Sequence, residues 1–342
     1  MIDSYADIQA LLFSPERVPL AMAALLLTML AGMVTGPVLG DANPFFWLLL
    51  DKTLGAAGGR LDRVQRKPGD LVFRGLLLTG VALVLFYIIG GELEGLALRF
   101  PLGGATEIVL LSLVLASGTV WFALLQLFFA LKEKRISKNA YYTIARTTRV
   151  DLSGSDAYSI TRIGMAMAVR SFDKGVVAPV LWYLIAGLPG AYIYAGLAAL
   201  SWRFGKDGFT KGFGRIPLVL EQLMGFVPSG LAGSLVAGAG LLTPTGGMTR
   251  AFAGLMRKEG KAPYAEGDVP VTALANALNV ALGGPAVDLD GSALKRAWVG
   301  PERATAQLDA GHLRRALYMS LMAHLLFLAG LGASLLFAGR AG

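Results

Sequence analysis

Long apolar stretches separated by charged segments dominate this chain. Four of them have a length of about 20 residues and are almost free of charge, which suffices to cross a bilayer core of roughly 30 Å. These stretches are 18–39, 72–89, 108–131 and 316–337. The pattern predicts an all-α polytopic integral membrane protein in which these four stretches are transmembrane helices.

Two further apolar stretches contain helix-breaking residues. Residues 175–200 carry no charge, yet Gly-Leu-Pro-Gly occupies 187–190, and the stretch 222–242 contains Pro228 and several Gly. Pro removes a backbone donor and Gly weakens a helix, and a break inside a bilayer must find protein or water as a partner. Each stretch is therefore interpreted either as a kinked span or as a re-entrant segment.

The charge of the intervening segments predicts the orientation. Residues 51–74 and 132–174 hold six and nine Lys or Arg, whereas 90–107 hold three Glu and one Arg. The positive-inside rule then places the N-terminus outside and both basic loops in the cytoplasm, with the bacterial inner (cytoplasmic) membrane as the expected location. The loop 201–217 is also basic, so re-entry of both broken segments from the cytoplasm satisfies every loop. Two ordinary spans with one basic outside loop are the alternative.

Composition narrows the possible chemistry. The 342 residues include 31 Lys and Arg, 23 Asp and Glu, two His and no Cys, with a formal net charge of +8. Disulfides and thiolate metal sites are therefore excluded, and two His are too few for a His-based metal site. Basic loops beside anionic lipid explain the charge, so the lipid bilayer is an expected partner and nucleic acid is not. The region 243–315 is expected to pack on the cytoplasmic face of a single membrane domain.

Charged residues beside the two broken segments are the candidates for binding or chemistry. Arg146, Arg162 and Arg170 precede the first broken segment, and a planar guanidinium suits phosphate or carboxylate. The alternative is a role in topology and lipid contact. Glu221 lies at the mouth of the second broken segment, where it is either an acid–base group, a helix cap or a partner of Arg215.

Glycine, proline and aromatic positions carry a resemblance to a known family. The matching runs are Gly-Val-Val-Ala-Pro-Val-Leu-Trp at 175–182, Gly-Leu-Pro-Gly-Ala at 187–191, Phe-Val-Pro at 226–228 and Leu-Gly-Gly-Pro at 282–285. In this order and spacing the chain resembles the CobD/CbiB family of cobalamin-biosynthesis membrane proteins over about 36–317.

The resemblance implies an adenosylcobinamide-phosphate synthase. Such an enzyme uses ATP to join aminopropanol, or its phosphate, to the carboxylate of adenosylcobyric acid at the cytoplasmic face. Mg-ATP and a corrinoid are thus the implied cofactor and substrate, which require carboxylates for Mg²⁺ and cations for phosphates. The site residues expected on this basis are Asp151, Arg162 and Glu221 for catalysis, Arg146, Arg170, Lys174, Gly283 and Gly284 for anion or substrate binding, and Asp41 for the metal.

This chain departs from the family pattern where the family has acidic residues. Arg170 and Lys174 occupy positions where the family pattern has acidic residues, and Glu221-Gln222 replaces an Asp-Asp pair. Two functions follow as alternatives: a synthase, or a catalytically inactive paralogue that is an accessory subunit of a membrane complex or a binder of a corrinoid or anionic lipid. Convergence of the acids in one cytoplasmic pocket would favour the synthase, and an arginine-lined pocket would favour the paralogue. The acids concerned are Asp41, Asp151, Asp156, Asp173 and Glu221.

Overall fold

Helices make up most of the chain in the computed structural model, which describes residues 16–63, 65–100, 102–133, 138–205, 212–257, 259–289 and 291–341. The helices are α1 (Arg17–Thr35), α2 (Phe45–Leu50), α3 (Ala56–Leu61), α4 (Pro68–Arg99), α5 (Gly103–Ser112), α6 (Gly118–Lys132), α7 (Lys138–Thr148), α8 (Ala157–Phe172), α9 (Ala178–Phe204), α10 (Arg215–Leu242), α11 (Met248–Met256), α12 (Asp268–Leu278) and α13 (Ala310–Ala341). One π-helical turn, Asp51–Gly55, joins α2 to α3, and another, Asp173–Val177, joins α8 to α9.

Five helical segments in the described part of the chain are long and apolar enough to cross a membrane. They are Arg17–Thr35, Pro68–Arg99, Ala157–Phe204, Arg215–Leu242 and Ala310–Leu336. One face of α4 exposes the apolar side chains of Leu76, Leu77, Val81, Val84 and Ile88. An exposed apolar face of this length indicates contact with lipid. The prediction of an all-α polytopic membrane protein is therefore confirmed.

The predicted span 108–131 is divided between two shorter helices, α5 and α6. The backbone groups freed at the break find partners in the protein, as a break at membrane depth requires. The N–H of Phe46 donates to the carbonyl of Leu113 over 3.0 Å, and the N–H of Ala116 donates to the carbonyl of Gly175 over 2.9 Å. Gly118 then begins α6 in close contact with α1, because a Cβ there would lie 2.7 Å from the nitrogen of Met33. The expectation of one continuous span was wrong here, since uniform hydropathy gives no sign of such a break.

The stretch 175–200 contains a true break, and the chain folds back at Gly187. Ala186 and Gly187 leave helical geometry, with φ of −129° and 65°. A Cβ on Gly190 would lie 2.5 Å from the carbonyl oxygen of Trp182, whereas residues eight apart in a continuous helix are separated by about 12 Å. Helix α9 is therefore a helical hairpin with its tip at Gly187.

The returning half of the hairpin runs antiparallel to α4. Pro189 contacts Gly90, and Gly196 contacts Phe86 further along the pair. Arg17 and Glu94 form an ion pair of 3.1 Å beside the tip, whereas Arg203 at the far end pairs with Asp51 over 3.0 Å. The two flanks of the hairpin therefore lie toward the same end of the helix bundle, opposite the tip.

The second predicted break, at Pro228, is absent, because α10 is continuous from Arg215 to Leu242. Pro228 cannot donate to the carbonyl four residues earlier, that of Met224. The indole N–H of Trp182 donates to this carbonyl instead, over 3.1 Å. The prediction of a broken segment at 222–242 was wrong because a side chain of the hairpin provides the missing donor.

The region 243–315 packs against the start of α8 through short strands. The strands are β1 (Val150–Asp151), β2 (Leu282–Gly283), β3 (Ala286–Asp288), β4 (Ala293–Leu294) and β5 (Trp298–Val299). They form a three-stranded sheet in the order β1-β3-β4 and a β2–β5 pair, all antiparallel. Helix α12 ends at Asn279, which has a φ of 54°. Asn279, in the left-handed conformation, follows Leu278 as the cap of this helix.

Candidate functional site

A buried cluster of charged and phenolic side chains lies where α8, α9 and α10 meet. The π-helical turn Asp173–Val177 holds Asp173 and Lys174 inward, and both side chains are almost fully buried. A π-turn inserts one extra residue into the helix and so redirects the side chains around it. This turn separates α8 from the apolar hairpin.

Lys174 forms a direct ion pair with Glu221 of α10. Its Nζ lies 2.8 Å from Oε1 and 3.1 Å from Oε2, and the side chains are 3% and 0% exposed. The carboxylate is thus engaged at both oxygens in a site buried from bulk solvent. An ion pair at this depth must be closely matched in geometry, because each charge loses its hydration on burial.

Two tyrosines complete the surroundings of Glu221. The hydroxyl of Tyr264, in the 3-10 turn Tyr264–Glu266, donates to Glu221 Oε1 over 2.8 Å, and that of Tyr194 lies 3.4 Å from the same atom. Lys174 Nζ lies 4.2 Å from the ring centre of Tyr264. Burial, followed by the neighbouring Glu221, raises the pKa of Tyr264. The phenol therefore remains a proton donor to the carboxylate. We call Asp173, Lys174, Tyr194, Glu221 and Tyr264 the central polar cluster.

The cavity beside Lys174 is small. It has a volume of about 20 Å³ and is walled by residues of α2, α7, α8 and the hairpin, among them Trp47, Arg170 and Trp202. A cavity of that volume holds one water molecule or little more. Arg170 and Lys174, two predicted anion-binding residues, do meet here, but the enclosed volume is far too small for a nucleotide.

Asp41 and Arg146 occupy a separate place, where the segment after α1 meets α7. Asp41 is buried, accepts the N–H of Asn43 over 2.9 Å, and lies 4.0 Å from Nε of Arg146. The N–H of Ala42 donates to the hydroxyl of Thr147 over 2.9 Å. Burial raises the pKa of Asp41, and the hydrogen bond from Asn43 opposes that effect. The contacts of Asp41 therefore hold two segments together.

Asp151 and Asp156 each accept a hydrogen bond from a backbone N–H that is close to them in the sequence. Asp151 accepts the N–H of Ser153 over 2.9 Å, and this hydrogen bond lowers its pKa. Asp156 caps the N-terminus of α8 by accepting the N–H of Ser159 over 2.8 Å. The structure therefore places neither acid in the central polar cluster, and the predicted catalytic set of Asp151, Arg162 and Glu221 is not assembled.

Arg162, Gly283 and Gly284 lie together beside the first half of α8. Arg162 donates to the carbonyl of Ala306 over 2.9 Å and to the hydroxyl of Ser159 over 2.6 Å. The glycines have φ of 76° and 80°, and a Cβ on Gly284 would lie 2.7 Å from the Trp298 ring. The N–H of Gly284 donates to Ala297. These glycines are required by the turn, while Arg162 lines a cavity between them and α8.

The acids implied by the family resemblance do not form a metal site. Within the described ranges, no three His, Asp or Glu side chains are placed to share a metal ion. Mg²⁺ bound by protein requires convergent oxygen ligands, whereas Asp41, Asp151 and Glu221 are engaged in three different places. The residues present therefore do not fit the implied Mg²⁺. Among the described residues, Asp41 has no further carboxylates beside it that would complete a set of metal ligands.

Sequence reasoning missed Tyr264 and Arg296. Tyr264 reaches the cluster from a 3-10 turn whose sequence has no periodic pattern. Arg296, which lines the same cavity as Arg162, lies in an irregular segment between two short strands. The only available signal was the proline before Tyr264, which marks an extended residue before the turn. Neither the distance to Glu221 nor that to Arg162 can be inferred from it.

Together, the hairpin and the central polar cluster define a polytopic helical membrane protein with a charged site buried at the meeting point of its helices. Residues 29–320 match the family model described as CobD/Cbib protein. The chain belongs to this family.

Relatives cover most of the chain at low identity. A cobalamin biosynthesis protein CobD of Sinorhizobium sp is 26% identical over 302 residues, which is 84% of this chain and 92% of the relative. A probable cobalamin biosynthesis protein CobD of Methanothermobacter thermautotrophicus is 24% identical over 78% of this chain and 85% of its own length. No solved structure matches the chain. The resemblance inferred from the glycine and proline runs is therefore confirmed at the level of the family.

Proposed function

We propose that this protein serves cobalamin biosynthesis in the cytoplasmic membrane. It is proposed to bind a ligand of the pathway and not to carry out ATP-dependent aminopropanol attachment. Its ligand class is an anionic corrinoid intermediate, held at the cytoplasmic face. Family membership supports the pathway, and the basic composition of the cytoplasmic loops supports the charge of the ligand.

The observation that carries the proposal is the ion pair between Lys174 and Glu221. A ligase that uses Mg-ATP needs open carboxylates that can hold a cation beside phosphates. Glu221 is instead neutralised by a lysine of the adjacent helix and receives a phenolic hydrogen bond from Tyr264. Because the cavity beside the pair admits about one water molecule, a nucleotide has no room there.

Retained synthase activity is the second candidate. It is favoured by a family match over 29–320 and by the position of Arg162, which lines a cytoplasmic cavity. In that case the central polar cluster would have to open during turnover. The two candidates differ in whether the protein alone restores aminopropanol attachment.

The test uses cells that lack their own adenosylcobinamide-phosphate synthase. We expect no growth on cobalamin precursors when this chain is expressed, whereas the CobD protein of Sinorhizobium sp is the matched positive control for rescue. Rescue by this chain would contradict the proposal and support the synthase. Purified protein should acquire the visible absorption of a corrinoid when incubated with adenosylcobyric acid. Absence of both rescue and corrinoid absorption would refute both candidates.

A further inference from the structure

The segment between α1 and α3 exposes large apolar side chains, although its helix α2 has only six residues. Leu39 is 60% exposed, and Phe45 and Leu49 of α2 are 50% and 49% exposed. Phe45 and Leu49 are four residues apart, so they share one face of the helix. Several such side chains in one short segment mark a contact surface.

This segment continues the lipid-facing side of α1. Leu30 and Val34, in the last turns of α1, are both exposed, and the helix is long and apolar enough to cross a membrane. The next residues, 36–40, read Gly-Pro-Val-Leu-Gly and carry no charge. The sequence therefore has no polar linker that would separate the segment from the lipid around α1.

Phe46 fixes α2 at membrane depth. Its ring packs edge-on against Phe86 of α4 and Tyr192 of the hairpin, with ring centres 5.8 and 4.9 Å apart. Both partners lie in segments that are long and apolar enough to cross a membrane, and Phe86 is far from either end of α4. The adjacent Phe45 is exposed at the same depth, where the surroundings of a helix bundle are acyl chains.

Both ends of the segment lie toward the same end of the helix bundle. Helix α1 begins at Arg17, beside the hairpin tip, and so ends away from the tip. Asp51, directly after α2, pairs with Arg203 at the far end of the hairpin over 3.0 Å. A segment that enters and leaves at one end of the bundle is re-entrant and does not span the membrane.

The turn before α2 holds Leu39 outward in a strained conformation. Leu39 and Gly40 have φ of 53° and 74°, and the N–H of Asp41 donates to the carbonyl of Val38 over 3.0 Å. Positive φ at both central residues is the pattern of a type I′ turn, for which Asn-Gly is a preferred sequence. Leucine rarely adopts this conformation, and contact of its side chain with lipid offsets the strain.

Tyr142 and Arg146 of α7 lie beside this turn. A Cβ on Gly40 would lie 2.9 Å from the Tyr142 ring, and Arg146 donates to the Tyr142 hydroxyl over 3.0 Å. Tyr142 is itself exposed. An exposed tyrosine with a neighbouring cation is typical of the boundary between acyl chains and headgroups. The turn therefore lies at that boundary, and α2 lies on the acyl side of it.

We propose that residues 36–50 form a re-entrant element within one leaflet, with Leu39, Phe45 and Leu49 in contact with acyl chains. Trp47 comes two positions after Phe45, roughly 200° around the helix, and walls the cavity beside Lys174. One side of α2 thus contacts lipid while the other closes the cavity. The inference goes beyond the proposed corrinoid function and does not depend on it.

The test places a spin label on single introduced cysteines, because the natural chain has no Cys. Leu39→Cys, Phe45→Cys and Leu49→Cys are each reconstituted in vesicles of phosphatidylcholine and phosphatidylglycerol. Electron paramagnetic resonance compares collision of the label with oxygen, which dissolves in acyl chains, and with a water-soluble nickel chelate. The ratio of oxygen to nickel collision should exceed that at Arg60→Cys by about tenfold or more, because polar solutes are excluded from hydrocarbon.

Two controls define the ends of the scale. Val84→Cys is the lipid control, because Val84 is exposed on the apolar face of α4. Arg60→Cys is the water control, because Arg60 is an exposed residue of α3. Ratios close to that of Val84→Cys at the three tested positions support the proposal.

Two results overturn the proposal. A ratio close to that of Arg60→Cys at any tested position places that side chain in water. Labels that neither reagent reaches indicate coverage by a second copy of the chain or by another protein. If Leu39→Cys disturbs the turn and the variant does not fold, Phe45→Cys and Leu49→Cys decide the outcome, since both side chains point away from the protein core.

Discussion

Lys174 Nζ lies 2.8 Å from Glu221 Oε1, and the two residues come from different apolar segments. Each charge would be costly at this depth without the other, so the pair fixes α10 against the start of the hairpin. The contact joins positions that are 47 residues apart in the sequence. It is therefore a constraint on how the helices assemble as well as on the chemistry of the site.

Breaking this pair on one side should destabilise the protein strongly. Lys174→Met leaves the Glu221 carboxylate without its cation, and Glu221→Gln leaves a buried ammonium without its anion. Each should lower the free energy of unfolding by about 3–5 kcal/mol, measured by titration with dodecyl sulfate in mixed micelles. The double variant should lose clearly less than the sum of the two, since neither charge is then left alone.

Lys132→Met is the control for this experiment, because Lys132 is exposed at the end of α6. It should change the free energy of unfolding by no more than about 0.5 kcal/mol. Additive losses in the double variant would show that Lys174 and Glu221 do not stabilise each other.

The tip of the hairpin should accept only glycine. Gly187 has φ 65° and ψ −158°, and a Cβ there would meet Glu94 and Arg17. Gly187→Ala should therefore cost roughly 1–3 kcal/mol, the strain of a conformation that residues with a Cβ rarely adopt. Gly80→Ala in α4 is the matched control, because a Cβ at Gly80 has nothing within 4 Å. A melting temperature equally unchanged in both variants would argue against the fold-back at Gly187.

The two flanks of the hairpin should lie on the same side of the membrane. The natural chain has no Cys, so a single introduced Cys reports its own location. Ser153→Cys and Arg215→Cys flank the hairpin at exposed positions, and Leu102→Cys lies between α4 and α5. In intact cells an impermeant maleimide should label only Leu102→Cys, and all three should react after permeabilisation. Labelling of Arg215→Cys without permeabilisation would instead favour a segment that crosses.

Stability should depend on pH in opposite ways through Asp41 and Asp156. Burial raises the pKa of Asp41, so its contribution is complete below its ordinary value of 3.8 and is lost as the pH rises through the folded-state pKa. Hydrogen bonds with Ser159 lower the pKa of Asp156, whose contribution is present above 3.8 and lost as the pH falls. As the pH rises toward neutrality, Asp41→Asn should gain melting temperature relative to wild type, and Asp156→Asn should lose it. If the melting temperatures of both variants changed in the same direction relative to wild type as the pH rises, this prediction would be contradicted.

Hydropathy and loop charge were enough to predict an all-α membrane protein, because both depend on stretches of residues rather than on single contacts. The break at 187–190 was predicted correctly, since Gly and Pro act there on the local backbone. The intact helix at Pro228 was not predicted. The carbonyl of Met224, which Pro228 leaves without a donor, accepts the indole N–H of Trp182, 42 residues away from Met224. The break between α5 and α6 similarly depends on Gly175, which accepts the N–H of Ala116.

In the candidate site, too, some residues were predicted correctly and others were not. Glu221 and Arg170 were identified from their position beside the broken segments, and Lys174 was identified through the family resemblance. All three lie together at or near the buried centre. Asp41 and Asp151 were assigned through the family resemblance, and their local contacts keep them apart from that centre. Tyr264 and Arg296 come from irregular segments, whose path no periodic pattern predicts.

The contact of the hairpin tip with Arg17 and Glu94 has a consequence for synthesis in the cell. The tip has these polar partners only when the segments that carry Arg17 and Glu94 are already in the bilayer. Both are made before residue 187, so the order of synthesis matches the order of assembly. A hairpin that emerged first would find no polar partner at its depth. We therefore expect membrane insertion of this chain to proceed from its N-terminal helices, with the hairpin added as a pair to a platform already formed.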